Sequence, residues 1–323
     1  MTEQRRSRRG HWLRLMIIAS IAVGLALIVT PFGLGAVPMW RLVHPPCAQD
    51  SRTPADYDLP NYHEVSIPTQ SGSYRGFFIP GTNGATIIVP PPYNSSRVGM
   101  MPEASLLAKD GFNILIFESR VCAGRDSISL GYNEIDDVGD ALAYLKQNAD
   151  KLPVSMDKVA LHGFSSAGAT ATMATARYPE IHALLAEGGY DNIDEQLGLQ
   201  RASGILDSLA VIGSRTAYRV STGVDASMLV PIEAIKKIPP RPIFLVYGSS
   251  EVSLPGAKDQ LAAARSASPS SSGILQLWIV PGAGHGGYLA AVGADEYKRH
   301  VLPFYHCALL NDCQTWNDLW KAK

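Results

Sequence analysis

The sequence predicts an α/β fold, a mostly parallel eight-stranded sheet flanked by helices, with a small helical cap insertion and an N-terminal transmembrane helix. Three observations predict it. From His63 onward, eight short β-rich runs alternate with helical patterns, the order that builds a parallel sheet covered on both faces. Several of those runs are continuously apolar, Ile114-Leu115-Ile116-Phe117 among them, as expected of strands with no solvent face. Ahead of them, 26 residues without a formal charge separate Arg14 from Arg41.

Taken in chain order, that uncharged stretch comes first. It includes Leu15–Thr30, rich in Ile, Leu and Val, and a helix of about 20 apolar residues crosses a bilayer core. Arg5, Arg6, Arg8, Arg9 and Arg14 precede it, which predicts a cytoplasmic N-terminus and an extracytoplasmic body. A cleaved signal peptide shares the basic start and apolar middle, but no A-x-A site follows the run and no lipobox precedes Cys47. The expected organisation is a basic tail over 1–14, a transmembrane anchor over 15–40 and a Pro- and Asp-rich linker over 41–61. Residues 62–323 then form the α/β domain, with a cap insertion at 190–222.

Strands are expected at Glu64–Ile67, Tyr74–Ile79, Thr86–Val89, Asn113–Phe117, Lys158–His162, Ala183–Ala186, Pro242–Tyr247 and Ile274–Val280. The helix expected over Asn133–Gln147 puts Ile135, Val138, Leu142 and Leu145 on one face. Its acids crowd the first turn and Lys146 closes the last, the charge order that suits the helix dipole. Ser166–Tyr178 and Gly256–Arg265 are further helices. Tyr190–Thr222 interrupts the rhythm as a weakly helical cap, and Ser266–Ser272 reads as a loop.

Charge narrows the function classes. The first 40 residues carry five Arg and one Glu; the rest carry 23 basic against 28 acidic residues. A mildly acidic body does not suit a nucleic-acid partner, whose phosphates call for clustered Lys and Arg. Four Cys, with no CxxC spacing, suit neither a disulfide-built scaffold nor a zinc site. Cys307 and Cys313 are close enough to pair, leaving Cys47 and Cys122, but four Cys allow three connectivities. The spacing of the histidines suggests no metal, and no organic cofactor is implied. Gly282–Gly287 satisfies GxGxxG, but only 36 residues follow it, too few for the strand and acid of a dinucleotide site.

The most informative stretch is His162-Gly163-Phe164-Ser165-Ser166-Ala167-Gly168, between a strand and a helix. A serine on so sharp a turn needs small residues two before and two after it. Gly163 and Ala167 meet that demand for Ser165, whereas centring on Ser166 would put Phe164 at the crowded position. Serine is a poor nucleophile without a base held by a carboxylate. Glu251 and His285 each follow a later strand, on the edge where open α/β sheets place their sites. Glu187 and Asp191 compete with Glu251 for the acid. Tyr288 reads as core, and Cys122 as an ordinary thiol.

In these features the sequence resembles the α/β-hydrolase superfamily, particularly its membrane-anchored serine hydrolases, over roughly Tyr62–Phe304. The resemblance rests on the turn around Ser165, Gly248–Pro255 and the Pro-Gly-Ala-Gly-His turn at Pro281–His285. It implies Ser165 as nucleophile, His285 as general base then acid, and Glu251 as the carboxylate that orients it. The substrate would be a small-molecule ester, thioester or amide, or a peptide; the lipid bilayer would be a partner through the N-terminal helix. One departure stands out. Relatives carry His-Gly after the strand Thr86–Val89, where this chain has Pro90-Pro91-Pro92-Tyr93-Asn94. Proline has no N–H, so the oxyanion donors expected are the N–H groups of Tyr93 and Ser166, with the Asn94 side chain in reserve. That departure motivates a second reading, a catalytically weak or inactive binding module held at the membrane. The sequence is silent on oligomeric state.

Overall fold

A computed structural model describes residues 2–70, 72–200, 202–269 and 274–321. The chain begins with α1 (Thr2–Val43), a 42-residue helix whose segment from His11 is long and apolar enough to cross a membrane. It runs three residues past the expected end of the anchor. A short 3-10 turn, Pro54–Tyr57, leads into the antiparallel pair β1 (His63–Thr69) and β2 (Gly72–Ile79). Next come β3 (Thr86–Val89), α2 (Met101–Lys109), β4 (Asn113–Phe117), α3 (Glu134–Gln147), β5 (Val159–Phe164), α4 (Ser166–Arg177) and β6 (Ala183–Glu187). The insertion contains α5 (Ile193–Gln196) and α6 (Ile205–Thr222), with α7 (Pro231–Ile235) leading back to the sheet at β7 (Ile243–Gly248). The chain closes with α8 (Leu254–Ala267), β8 (Leu275–Val280), α9 (Tyr288–Val292), α10 (Ala294–Leu310) and α11 (Gln314–Trp320).

The strands form one sheet in the order β1-β2-β4-β3-β5-β6-β7-β8, parallel from β4 to β8. All eight expected strands are present; β3 and β4 keep the expected ends and the others shift by at most two residues. The order reverses between β3 and β5, leaving a crevice at their carboxyl ends.

Alternate residues of the buried strands feed two cores. Ile114 and Ile116 face one layer with α2, α10 and Trp316 of α11. Leu115 and Phe117 face the other, with Ile135, Val138, Leu142 and Leu145 of α3. The first-turn acids of α3 do more than answer its dipole: Glu134 accepts from the Ser129 hydroxyl and the Gly131 N–H, and buried Asp137 accepts from Tyr74 Oη at 2.6 Å. Helix α2 opens with Pro102 in its first turn, and α10 runs unbroken through Pro303. The expected serine loop begins later than expected, because Ser266 and Ala267 still belong to α8; residues 270–273 of that segment lie outside the described ones.

The insertion is more helical than its sequence suggests. α6 runs for 18 residues and packs alongside α1. Phe32 of α1 approaches Gly213 closely, and Gly35 lies against Ala210 with its carbonyl accepting from Ser214 Oγ at 3.1 Å. A Cβ on either glycine would run into the other helix's backbone. A third apolar cluster joins Met39 and Val43 to Tyr190, Ile193 and Tyr218.

Disulfides link Cys47 to Cys122 and Cys307 to Cys313. The first ties the expected linker to the loop after β4, so the chain leaving α1 is fastened to the body. Cys122 is therefore half of a cross-link, not a thiol. Because that bond closes a loop spanning 75 residues, the Cys47→Ser/Cys122→Ser double variant is expected to lose about 2–4 kcal/mol of stability, measurable by denaturant unfolding in detergent.

Candidate active site

Backbone geometry sets up the site. The β5–α4 turn holds Ser165 at φ 57° and ψ −124°, a region costly for any residue with a Cβ and tolerated where surrounding contacts enforce it. Here the enforcing contact is the approach of Gly163 to the Ala167 carbonyl, so close that a Cβ on Gly163 would collide with it. The Ser165 N–H donates to the Glu187 carbonyl at 2.7 Å, tying the turn to the end of β6.

Three loops meet at this turn. Ser165 Oγ lies 2.9 Å from His285 Nε2, and His285 Nδ1 lies 2.7 Å from Glu251 Oε1. The carboxylate is an acceptor, so Nδ1 carries the proton and Nε2 is left to accept from the Ser165 hydroxyl. The imidazole is half exposed, while the Glu251 carboxylate is almost fully covered. Phe164 stacks on the imidazole at 5.1 Å between ring centroids. Gly188, at φ 58°, passes so near His285 and Glu251 that a side chain there would meet both.

Glu251 is the most heavily bonded group of the three. Tyr288 Oη donates to Oε2 at 2.5 Å, the Gly248 N–H at 3.0 Å, and Ser253 Oγ donates to Oε1 at 2.8 Å. Burial alone would push its carboxyl up, but the bonds from His285, Tyr288, Gly248 and Ser253 outweigh it and hold the group below its ordinary 4.5. Tyr288 is buried, as a core residue should be, yet its hydroxyl serves the carboxylate. Three residues past the histidine, it gives no sequence signal that separates it from an ordinary core tyrosine. Neither rival acid is hydrogen-bonded to His285, although Glu187 lines the cavity beside Ser165. Glu187 accepts from Tyr297 Oη at 2.6 Å, and Asp191 packs against Gly256.

A cavity of about 520 Å³ opens beside Ser165 and His285, lined among others by Pro92, Tyr93, Asn94, Glu103 and Phe164. Burial, with Glu187 nearby, raises the Glu103 carboxyl to about 7. No described residue of the 190–222 insertion lines this cavity. Tyr93 and Ser166 both line a smaller pocket that shares Pro92 and Tyr93 with this cavity. Among the described residues, neither of their N–H groups has an acceptor. Gly282–Gly287 is the turn that carries His285 into α9. Among the described residues, no group of three or more His, Cys, Asp or Glu is placed to hold a metal ion.

A carboxyl held below its ordinary value stabilises the fold in its ionised form. The stability gap between wild type and Glu251→Gln is therefore expected to be full above about pH 4.5 and to close as pH falls below it. Thermal unfolding across a pH series checks this.

No protein-family model matches the chain. It is 28% identical over 274 residues to the esterase LipC of Mycobacterium tuberculosis, covering 80% of this chain and 63% of that relative's length. A solved structure of the Pyrococcus furiosus esterase Pf2001 superposes with a TM-score of 0.66 at 22% identity, over 83% of this chain and 98% of that one. A Mycobacterium tuberculosis puromycin-hydrolyzing peptidase superposes with a TM-score of 0.57 at 15% identity, over 77% of this chain and 39% of that one.

Proposed function

We propose that this chain, which has the α/β-hydrolase fold, is a serine hydrolase of carboxylic esters, held at a membrane by α1. The observation that carries the reading is the continuous run of hydrogen bonds from Ser165 Oγ through His285 to Glu251. In the reaction, Ser165 Oγ attacks the carbonyl carbon while its proton passes to His285 Nε2. Glu251, buried and acceptor-only, stabilises the imidazolium that forms. The negative charge that develops on the carbonyl oxygen is met by the N–H groups of Tyr93 and Ser166, at the start of a helix whose dipole favours an anion. Collapse expels the alcohol, which takes its proton from His285 and leaves an acyl group on Ser165. Water then attacks that ester, giving a proton to His285; as the acyl–oxygen bond breaks the acid is freed and His285 returns the proton to Ser165 Oγ.

Esters rank above amides on the likeness to the esterase LipC. A peptide or other amide is the alternative, supported by the puromycin-hydrolyzing peptidase that shares the fold. Membrane attachment rests on the length and apolarity of α1; the upstream arginines favour a cytoplasmic N-terminus with the catalytic domain on the far side. Pro90–Pro92 motivates the second reading, a tethered binding module without turnover. Against it stands Tyr93, the first residue after the prolines with an N–H to offer, lining the same pocket as Ser166.

Fluorophosphonate labelling separates the two. The wild-type chain is expected to label and Ser165→Ala to show none, with hydrolysis of p-nitrophenyl acyl esters falling by about 10³-fold or more. Folded wild-type protein that takes no label would establish the binding module instead. Glu251→Gln is expected to lower kcat by about 10²–10⁴-fold while Asp191→Asn leaves it near normal; the reverse would move the acid to Asp191.

A further inference from the structure

Helix α6 carries an apolar stripe that a water-soluble domain would not display. Ile205, Leu209 and Ile212 follow one another at helical spacing, with Val220 two turns further on, and Ile205, Ile212 and Val220 are 82%, 51% and 81% exposed. Leu206 adds a further exposed apolar side chain at the N-terminal end. Taking such side chains out of water is favourable, so a covering surface has several to gain.

The neighbour of this stripe identifies what covers it. The two helices run in the same direction. Phe32 and Gly35 meet residues 210–214, while at the far end the Val43 carbonyl accepts the Ile128 N–H, beside Ser127, whose hydroxyl donates to the Ser221 carbonyl. The C-terminal ends of both helices are thus tethered to the body. The N-terminal end of α6 reaches out along α1 toward its exposed apolar residues, Leu34, Val29, Ile28 and Leu27 among them. The two apolar surfaces are continuous. Charges on α6 are compatible with this arrangement. Asp207 accepts from the Ser203 N–H and hydroxyl at the helix start, Arg215 pairs with Asp194 at 2.6 Å, and Arg219 lies exposed near the body end, where it can meet headgroups.

The attachment points also share one edge of the sheet. Cys122 and Ile128 lie in the loop after β4, and α6 follows β6. Those are carboxyl ends of strands, as are the ends that carry Ser165, Glu251 and His285.

The geometry points to α6 as a second membrane element: its N-terminal half inserts into the leaflet adjoining the body, beside α1, and turns the Ser165 edge of the sheet toward the bilayer surface. This rests on the reading of α1 as a membrane anchor. An ester dissolved in that leaflet then reaches the cavity at Ser165 without crossing the body.

Because the four native cysteines are all cross-linked, a single introduced cysteine can be labelled selectively. Full-length Ile205→Cys and Ile212→Cys, and Asp150→Cys before β5 on the opposite edge, are labelled with an NBD probe. Each is reconstituted into phosphatidylcholine–phosphatidylglycerol vesicles and floated on a density gradient. Labels at 205 and 212 are expected to emit to the blue, to be quenched by doxyl-lipid, and to be at least about threefold less sensitive to iodide than the label at 150. Chain that floats while its 205 and 212 labels respond to iodide like the 150 label overturns the insertion of α6 and leaves the anchor standing. Chain that does not float overturns both.

Discussion

The approach of Gly163 to Ala167 across the β5–α4 turn is the contact on which the site depends. It holds Ser165 in a backbone conformation that a side chain ordinarily avoids, and so lifts the hydroxyl clear of both the strand and the helix. Strain of this kind persists only where the surroundings over-determine it. Here they do so through a strand buried up to Phe164 on one side, a helix packed on Gly189 through Gly168 and Ala169 on the other, and the bond from the Ser165 N–H to Glu187. Relaxing that turn would drop the hydroxyl out of reach of His285 even with all three side chains intact.

The same economy of contacts explains the carboxylate. Glu251 lies under the imidazole in a covered position where an isolated charge would be neutralised. Four donors keep it ionised, two of them from its own turn and one from Tyr288 on the helix that follows the histidine turn. The histidine turn therefore brings both the ring and a donor that keeps its partner charged. Phe164 completes the arrangement by stacking on the exposed imidazole, so the ring is positioned by its face as well as by its nitrogens.

The N-terminal helix and the insertion belong together. Read separately, one is an apolar span and the other a weakly patterned segment. In the fold they form a close pair through Gly35 and Gly213, with the Cys47–Cys122 cross-link fastening the chain just beyond. α6 keeps Ile205, Leu206, Ile212 and Val220 exposed in the fold, a placement that helical periodicity alone does not announce.

Alternation of apolar runs and helical periods was enough to read eight strands and the parallel sheet, because strands buried on both faces must be apolar throughout. Small residues at 163 and 167 marked Ser165, because only they fit so tight a turn; Glu251 and His285 were legible as the residues that follow strand ends. Their meeting was not, since residues 165, 251 and 285 are brought together by strand order and not by spacing. Nor were the bond from Tyr288 to Glu251 or the packing of α6 on α1; proximity in sequence offered the Cys307–Cys313 pairing but could not close the other connectivities. Each of these depends on which surfaces face one another after folding, a property of three-dimensional neighbours that local composition and period do not encode.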